Sequence, residues 1–518
     1  MRKTYLLTLL VSLLFCYTSR AQTTKTVDVA QPGTLSSALG EELKTVKDLT
    51  VTGKINAADI EGLIQASALE VLNLTDAAIV DTEGKVTTAF PGYTLRKHPT
   101  LTTLSLPKTI TTIGSGAFFK CQKLKKVVLP QTIKKLNETV FMSCSALSDI
   151  NFPDGLESIG RNAFYMTAIT EFTAPKALKT LGDNALYGTQ ITKAALNDRL
   201  EKIGQASFAA CKQLAKIEIE NNPNFKLVDG VLYSTDETTL VAYPLADKRA
   251  LYKTLPTVTT IYQGIFEGAV NLKDIYINEG VKTIPVSLCC NTEALERMYW
   301  PATLTDVKAG AIDGCKKLRE LHVAATKAPA ADTGAFGVMF KNYTAYLYVP
   351  FGAKASYEAN EEWNENFLGI IEESTEPNTV VFRTNKAVGS VLALKVAAKE
   401  GEEIKIKGAS YNEKDELMLT DTEVTLYGKM TRIDCSSNQL ASIVITNQPQ
   451  LRELYCDDNK LTTIKVNYVP VLATFYCGNN KELADIDLKS MPALADFSCY
   501  GNKIRQLDLS LNPMLTSL

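Results

Sequence analysis

The chain has 518 residues, enough for several domains. Its 55 basic and 57 acidic residues leave a formal charge of −2, which argues against a nucleic-acid partner with a broad footprint and against a polybasic membrane surface. Only two histidines occur, His98 and His322, so His-based triads and His-rich metal sites have little to draw on.

The N-terminus reads MRKTYLLTLLVSLLFCYTSRAQ. Arg2 and Lys3 precede an apolar run, residues 5–16, that is too short for a comfortable membrane span. Ser19-Arg20-Ala21 offers small residues at both cleavage-site positions, so residues 1–21 read as a secretory signal peptide and the mature chain is expected to begin at Gln22. The competing reading is a lipoprotein anchored at Cys16, against which Phe15 stands where a small residue is expected. No later run is long enough to cross a membrane. The protein is expected to be exported, and either secreted or held at the cell surface.

Residues 22–68 read as a non-repetitive N-terminal cap. TLSSALGEELKTV, from Thr34, predicts a short helix, and KDLTVTG, from Lys47, a strand. NAADIEGLIQA predicts a helix capped by Asn56, with Ile60, Leu63 and Ile64 on one face.

Repeats occupy residues 69–323. LTTLSLPKTITTIGSGAFFKCQK, from Leu101, returns as LKKVVLPQTIKKLNETVFMSCSA from Leu124, an offset of 124 − 101 = 23. Further repeats open at 147, 169, 191 and 214, and after an interruption at 272, 295 and 318. A fixed period in the twenties is the signature of a solenoid. In LTTLSLP, Leu104 and Leu106 point one way and Ser105 the other, the alternation of a strand, and Pro107 ends it. Ile110, Ile113, Ala117 and Phe118 then bring the chain back around the same core. One such unit buries too little to fold alone, and stacking is what stabilises it. The interruption, near 220–257, contains VLYSTDETTLVAYP, which predicts a hairpin turning near Asp236. Residues 324–373 read as a C-terminal cap, with a helix near 353–360 and Trp363.

The composition changes near Glu372. Residues 374–429 read as a linker followed by short strands leading into a second array over 430–518. Its repeats, such as LRELYCDDNKLTTIKVNYVPV, open at 430, 451, 472 and 494. The chain stops at Leu515-Thr516-Ser517-Leu518, inside another repeat opening, and the natural protein is expected to be longer. The fold class is therefore a repeat solenoid, mostly β with short helical or irregular returns, with two arrays in tandem.

LPKTITTIGSGAFFKC and FPDGLESIGRNAFYMT resemble the LP–x–I–x–IG–x–AF–x–C pattern of BspA-type leucine-rich repeats. The DGVLYS hairpin and the LYVPFGAKASYEA…W ending are similar to segments of the same family. The second array resembles the LxxLxCxxNxL repeats of exported leucine-rich proteins. The resemblance covers most of the mature chain and implies a leucine-rich fold and an exported surface protein used in adhesion, with protein or glycan macromolecules as partners. Some repeats lack the family's Cys or Phe, and no cell-wall or sorting domain is visible.

No HExxH, GxSxG, P-loop or paired-carboxylate constellation stands out, so no enzyme, cofactor or metal site is expected. Cys121, Cys144, Cys211 and Cys315 share a repeat slot with Thr167, Thr189 and Thr292, a slot that takes a small, nearly buried side chain. His98 falls at the same slot and reads as a packed residue. Cys435, Cys456, Cys477 and Cys499 take an inward position of the second array, and Asn438, Asn459, Asn480 and Asn502 form an amide ladder. Trp300 takes an inward position.

The binding candidates are outward strand positions. Between the inward apolars lie Ser105, Val128, Asn151, Thr173, Ala195, Glu218, Tyr276, Tyr299 and His322. Two residues earlier lie Thr103, Lys126, Asp149, Glu171, Lys193, Lys216, Asp274, Arg297 and Glu320. These positions are expected to line a concave sheet. On its last three strands Tyr276, Tyr299 and His322 are expected to stack beside Asp274, Arg297 and Glu320, the aromatic and Arg composition of binding hot spots. Tyrosines are also common on sheets for their strand preference alone. The second array continues the theme with Arg432, Glu453, Tyr455, Thr474 and Tyr476. A macromolecular ligand is expected here, with a glycan stacking on Tyr276 and Tyr299, or a spacer without a ligand, as the alternatives.

Overall fold

The computed structural model describes residues 23–337, 345–373, 377–398 and 401–518. The signal-peptide reading, residues 1–21, lies outside them. So do part of the linker, at 374–376, and residues 338–344 of the first cap. The chain divides into two compact units, Met1–Leu347 with Ala355–Ile370, and Tyr348–Lys354 with Ile371–Leu518.

In the first unit each repeat contributes one strand to a parallel ladder. Thr24–Val29 pairs with Asp48–Ile55, which pairs with Val71–Asn73, then Thr103–Ser105, Lys126–Val128 and Asp149–Ile150. The cap therefore supplies the ladder's first strands. Its helix Ala57–Gly62 carries the expected Asn56 cap, reciprocated by Asp59. The buried Asp59 carboxylate also accepts from the backbone of Gly33 and Leu35, at 2.7 and 2.9 Å, tying two turns of the cap together. The first predicted helix is shorter than expected, Leu35–Leu39, and continues as a 3₁₀ turn over Gly40–Lys44.

Behind the strands runs a second parallel ladder, from Ala89–Phe90 to Lys202–Ile203. Between the two lies a core of Leu, Ile and Phe in which Phe90, Phe118, Phe141 and Phe164 stack at centroid spacings of 5.3, 5.3 and 5.5 Å. The coils touch so closely that a Cβ on Gly160 would meet the backbone of Asn137 at 2.6 Å, so the repeated Ile-Gly needs its glycine there.

The strand-side ladder is interrupted twice. At Asn151 the side-chain amide replaces the backbone pairing: Oδ1 accepts from Leu129 N at 2.8 Å and Nδ2 donates to Leu129 O at 2.9 Å. A new sheet then runs through Glu171–Thr173, Lys193–Ala195 and Lys216–Glu218. The second interruption is the insertion. Val231–Ser234 and Thr239–Ala242 form the expected antiparallel pair, and Phe225–Val228 adds a strand that the hydrophobic pattern did not reveal. Thr239–Ala242 pairs in parallel with Thr260–Ile261, so the hairpin also supplies a return strand. On the turn side Gln263 N donates to Gln205 Oε1 at 2.9 Å, and the Tyr187 hydroxyl donates to the buried Glu267 carboxylate. Burial pushes that carboxyl's pKa up, against the Tyr187 hydrogen bond and the charge of Lys212.

The slot shared by Cys and Thr has a definite chemistry. Cys121, Cys144, Cys211 and Cys315 each donate S–H to the carbonyl of Leu95, Phe118, Leu186 and Cys289, at 3.0 to 3.1 Å. Thr292 makes the same bond to Phe266 O at 2.6 Å. His98 Nδ1 accepts from Leu101 N at 3.1 Å, which leaves Nε2 as the donor to Leu63 O at 3.1 Å. Burial lowers the His98 pKa, keeping the ring neutral. The cysteines among the described residues are free thiols. The unit's end is filled by aromatics. Trp363 is fully buried, packs on Phe336 at 4.6 Å and donates Nε1–H to Pro329 O at 2.8 Å. Trp300 is buried beside it, 6.1 Å away.

In the second unit the strands before residue 430 cap the array. Lys395–Ala398 pairs antiparallel with Met430–Asp434, which opens a parallel ladder of Glu453–Tyr455, Thr474–Tyr476 and Asp496–Ser498. Thr379–Thr384 likewise pairs antiparallel with the return strand Leu440–Thr446. Inside, Asn438, Asn459, Asn480 and Asn502 each donate to carbonyls of their own turn and accept from a backbone N–H of the preceding coil or, for Asn438, of Ala393.

Candidate binding face

Register fixes the outward rows. Leu251, Asp274, Arg297 and Glu320 are successive partners across four strands, and so are Lys253, Tyr276, Tyr299 and His322. Inward Ile275, Met298 and Leu321 are buried and lock each strand, so the outward residues stand in line one strand apart.

The aromatic row is a stack. Tyr276 and Tyr299 lie 4.0 Å apart with rings 5° from parallel, and His322 lies 4.5 Å beyond Tyr299 at 14°. The Lys253 ammonium sits 4.8 Å over the Tyr276 ring. Both faces of Tyr299, and the two faces of Tyr276, are therefore taken by neighbours, and the row offers ring edges and hydroxyls outward. Burial, then the neighbouring Tyr276, pushes the Tyr299 phenol pKa well up, so it stays protonated.

The charged row is clamped as well. Arg297 Nε and Nη2 donate to the two Asp274 oxygens at 2.5 and 2.9 Å, a bidentate pair with both side chains under a third exposed. His322 Nε2 lies 3.5 Å from Glu320 Oε2. On the preceding strands the corresponding charges, such as Lys126 and Asp149, are more exposed and pair singly. The structure thus brings together Asp274, Arg297, Glu320, Tyr276, Tyr299 and His322, and adds Lys253.

In the second unit Tyr455 and Tyr476 are also neighbours, edge to face at 5.4 Å. The Arg432 guanidinium lies 4.9 Å over Tyr455, the Tyr455 hydroxyl donates to Glu453 at 3.2 Å, and that of Tyr476 to Asp496 at 2.5 Å. Among the described residues no group of three or more His, Cys, Asp or Glu side chains is placed to hold a metal ion, and no helix is long and apolar enough to cross a membrane.

Three comparisons bear on this architecture. A search of curated proteins finds no match. Among solved structures the chain is similar to a leucine-rich cell surface protein of Faecalibacterium prausnitzii (18% identity, 57% of this chain and 86% of that one, TM-score 0.41). It is similar to the pneumococcal vaccine antigen PcpA (20%, 57% and 87%, TM-score 0.44) and to a leucine-rich repeat protein of Eubacterium ventriosum (17%, 82% and 91%, TM-score 0.45). The family model described as the BspA type leucine rich repeat region matches in six copies, over residues 88–215, 135–240 and 252–329. Those residues are the stacked coils and the rows just described, and the first array of this chain is a BspA-type leucine-rich repeat region.

Proposed function

We propose that this chain is an exported surface protein that binds a protein ligand, as an adhesin does, through the strand face bearing Lys253, Tyr276, Tyr299 and His322. The stack carries the reading. Three rings held against each other and a guanidinium clamped on Asp274 are rigid before any partner arrives, so little side-chain entropy remains to be lost on binding. Tyrosine hydroxyls and Arg on the middle strands of a sheet suit a protein surface. The N-terminal export segment and the family's association with cell surfaces support the same reading.

The stack works against glycan capture at these tyrosines. A sugar ring packs on an aromatic face, and those faces are occupied. The test is binding of the chain from Gln22 to immobilised matrix proteins and to a glycan array, beside Tyr276→Ala/Tyr299→Ala. Protein binding that is lost in the double variant at an unchanged circular dichroism spectrum is the expected result. Binding that survives the double variant, or no binding to any protein on the surface, refutes the assignment to this face.

A further inference from the structure

Along the first array charges on adjacent coils pair with opposite charge, and where like charges are neighbours, as Lys193 and Lys216 are, Glu218 pairs with both. Lys126 pairs with Asp149 at 2.8 Å, Lys134 with Glu157 and Lys179 with Glu201 at 3.7 Å, and Lys273 with Glu296 at 3.2 Å. The turn edge of the first two complete coils departs from this. Lys97 N donates to Phe119 O at 2.7 Å and Lys120 N to Met142 O at 2.9 Å, so Lys97 and Lys120 are equivalent residues one coil apart. Two like charges therefore stand side by side, flanked by Arg96 and Lys123. All four are exposed, and none has an ion pair among the described residues. Glu70, whose carboxylate feels the charge of Lys123, is held by Lys47 at 2.7 Å.

Lys97 and Lys120 both have φ of 59°, a left-handed conformation that every coil repeats at this position, with Ser143, Met166, Ala210 and Asn291 as well as Gly188, Gly268 and Gly314. The position therefore accepts small and uncharged residues, and the first two coils place lysine there side by side, with no carboxylate among the described residues paired to either. Like charges so placed work against stability. Their presence is understandable if an anion is held there.

Aromatic groups border the patch. Tyr93 is 52% exposed, and the Lys120 ammonium lies 5.2 Å over Phe119. Cationic positions repeat at the coil spacing, ~4.8 Å, close to the length of one pyranose unit. The formal charge of −2 leaves no wide basic field for a duplex.

We propose that the turn edge around Arg96, Lys97, Lys120 and Lys123 binds a linear acidic polysaccharide, whose sulfate or carboxylate groups replace the missing carboxylate partners. This site lies on the turn edge, apart from the Tyr276 row, and stands whether or not that row binds protein.

The test uses the chain from Gln22 on immobilised heparin, with neutral dextran as the control surface. Wild type is expected to be retained by heparin at physiological salt, to elute as NaCl rises, and to ignore dextran. Lys97→Gly/Lys120→Gly is expected to bind heparin roughly tenfold more weakly, the loss of two charged contacts, with a thermal midpoint no lower than wild type. Lys135→Gln/Lys202→Gln, removing two exposed charges from the return strands, is expected to bind as wild type does. Absence of wild-type retention, full retention of the glycine pair, or an equal loss in the return-strand pair overturns the proposal. Displacement of heparin by duplex DNA or phosphatidylserine vesicles at equal charge concentration overturns the assignment to a polysaccharide.

Discussion

Asn459→Ala isolates what the amide ladder contributes to the second array. Asn459 Oδ1 accepts from Asn438 N at 2.8 Å and from Leu440 N at 3.0 Å. Its Nδ2 donates to the carbonyls of Cys435, Cys456 and Asp457 at 3.0 to 3.1 Å. Cys435 O keeps Asn438 Nδ2 at 3.0 Å after the change, and Cys456 O keeps Asn480 Nδ2 at 3.1 Å. The damage therefore falls on two buried N–H groups. At about 1–3 kcal/mol for each unsatisfied donor, the loss is ~2–6 kcal/mol. Asn502 supplies an internal scale: its Oδ1 serves one N–H, that of Asn480 at 2.7 Å, and Asn502→Ala is expected to cost about half as much. Urea denaturation followed by hydrogen exchange, read by mass spectrometry on peptides from 430–518, measures both. Exchange is expected to accelerate at residues 438–440 in Asn459→Ala. A loss below ~1 kcal/mol with unchanged exchange, or equal losses in the two variants, would refute the reasoning.

Two further outcomes follow from the first array. Cys144→Ala leaves Phe118 O without its side-chain donor and is expected to lower stability by about 1 kcal/mol, whereas Cys144→Thr, matching Thr292, is expected to lose less. Equal thermal midpoints for the two variants would show that the slot selects size alone. Glu267 gives a pH dependence. Its folded pKa is raised above the ordinary 4.5, so the folded state binds the proton more tightly than the unfolded one. The resulting stability is fully present below 4.5 and is lost as pH rises through the folded value. Glu267→Gln, which keeps an acceptor for Tyr187, is expected to be more stable than wild type at pH 7 and to converge with it in acid; a variant less stable than wild type at pH 7 contradicts this.

The rows were legible because a parallel ladder turns sequence period into spatial register. Once 274, 297 and 320 are known to be one repeat apart, alignment of Tyr276, Tyr299 and His322 follows without further information. The ring geometry does not follow, since the alternation of a strand says nothing of side-chain torsions, and face-to-face contact within the row is what removed the faces expected for a sugar. Lys253 escaped notice because two residues separate it from its proline, Pro256, where one separates Ser105 from Pro107, and because its inward neighbour is Tyr252, whose hydroxyl bonds that of Tyr233 in the hairpin, instead of an aliphatic residue. The step 274 − 251 = 23 was nonetheless available as a signal. Lys97 and Lys120 were passed over for another reason. They lie on the turns, outside the strand rows that the alternation picks out, and the lack of a carboxylate partner is invisible in a hydrophobic pattern.

The two arrays meet one requirement by different chemistry, and the difference says where to look for function. One slot of the first array needs a single donor to a backbone carbonyl, which thiol, hydroxyl and imidazole all provide: Cys144, Thr292 and His98 reach the neighbouring coil, and Thr167 and Thr189 reach their own turn. A coil of the second needs a donor and an acceptor on one short side chain. An amide carries an acceptor oxygen and two N–H donors on separate atoms, where a hydroxyl has one atom and one donor, and Asn recurs at 438, 459, 480 and 502. Inward identity is thus set by hydrogen bonding and volume. Outward identity is free of both, and most outward positions are small or paired in charge. Tyr276, Tyr299 and Arg297 on the strand face, and Lys97 and Lys120 on the turn edge, break that habit. Stacking rewards the first group, so their presence has a structural account as well as a functional one. The second group has less of a structural account: Lys120 lies over the Phe119 ring, but no carboxylate among the described residues pairs with either lysine, and the two repel each other. By that criterion the turn edge is the stronger evidence for a ligand, although the strand face is the more conspicuous surface.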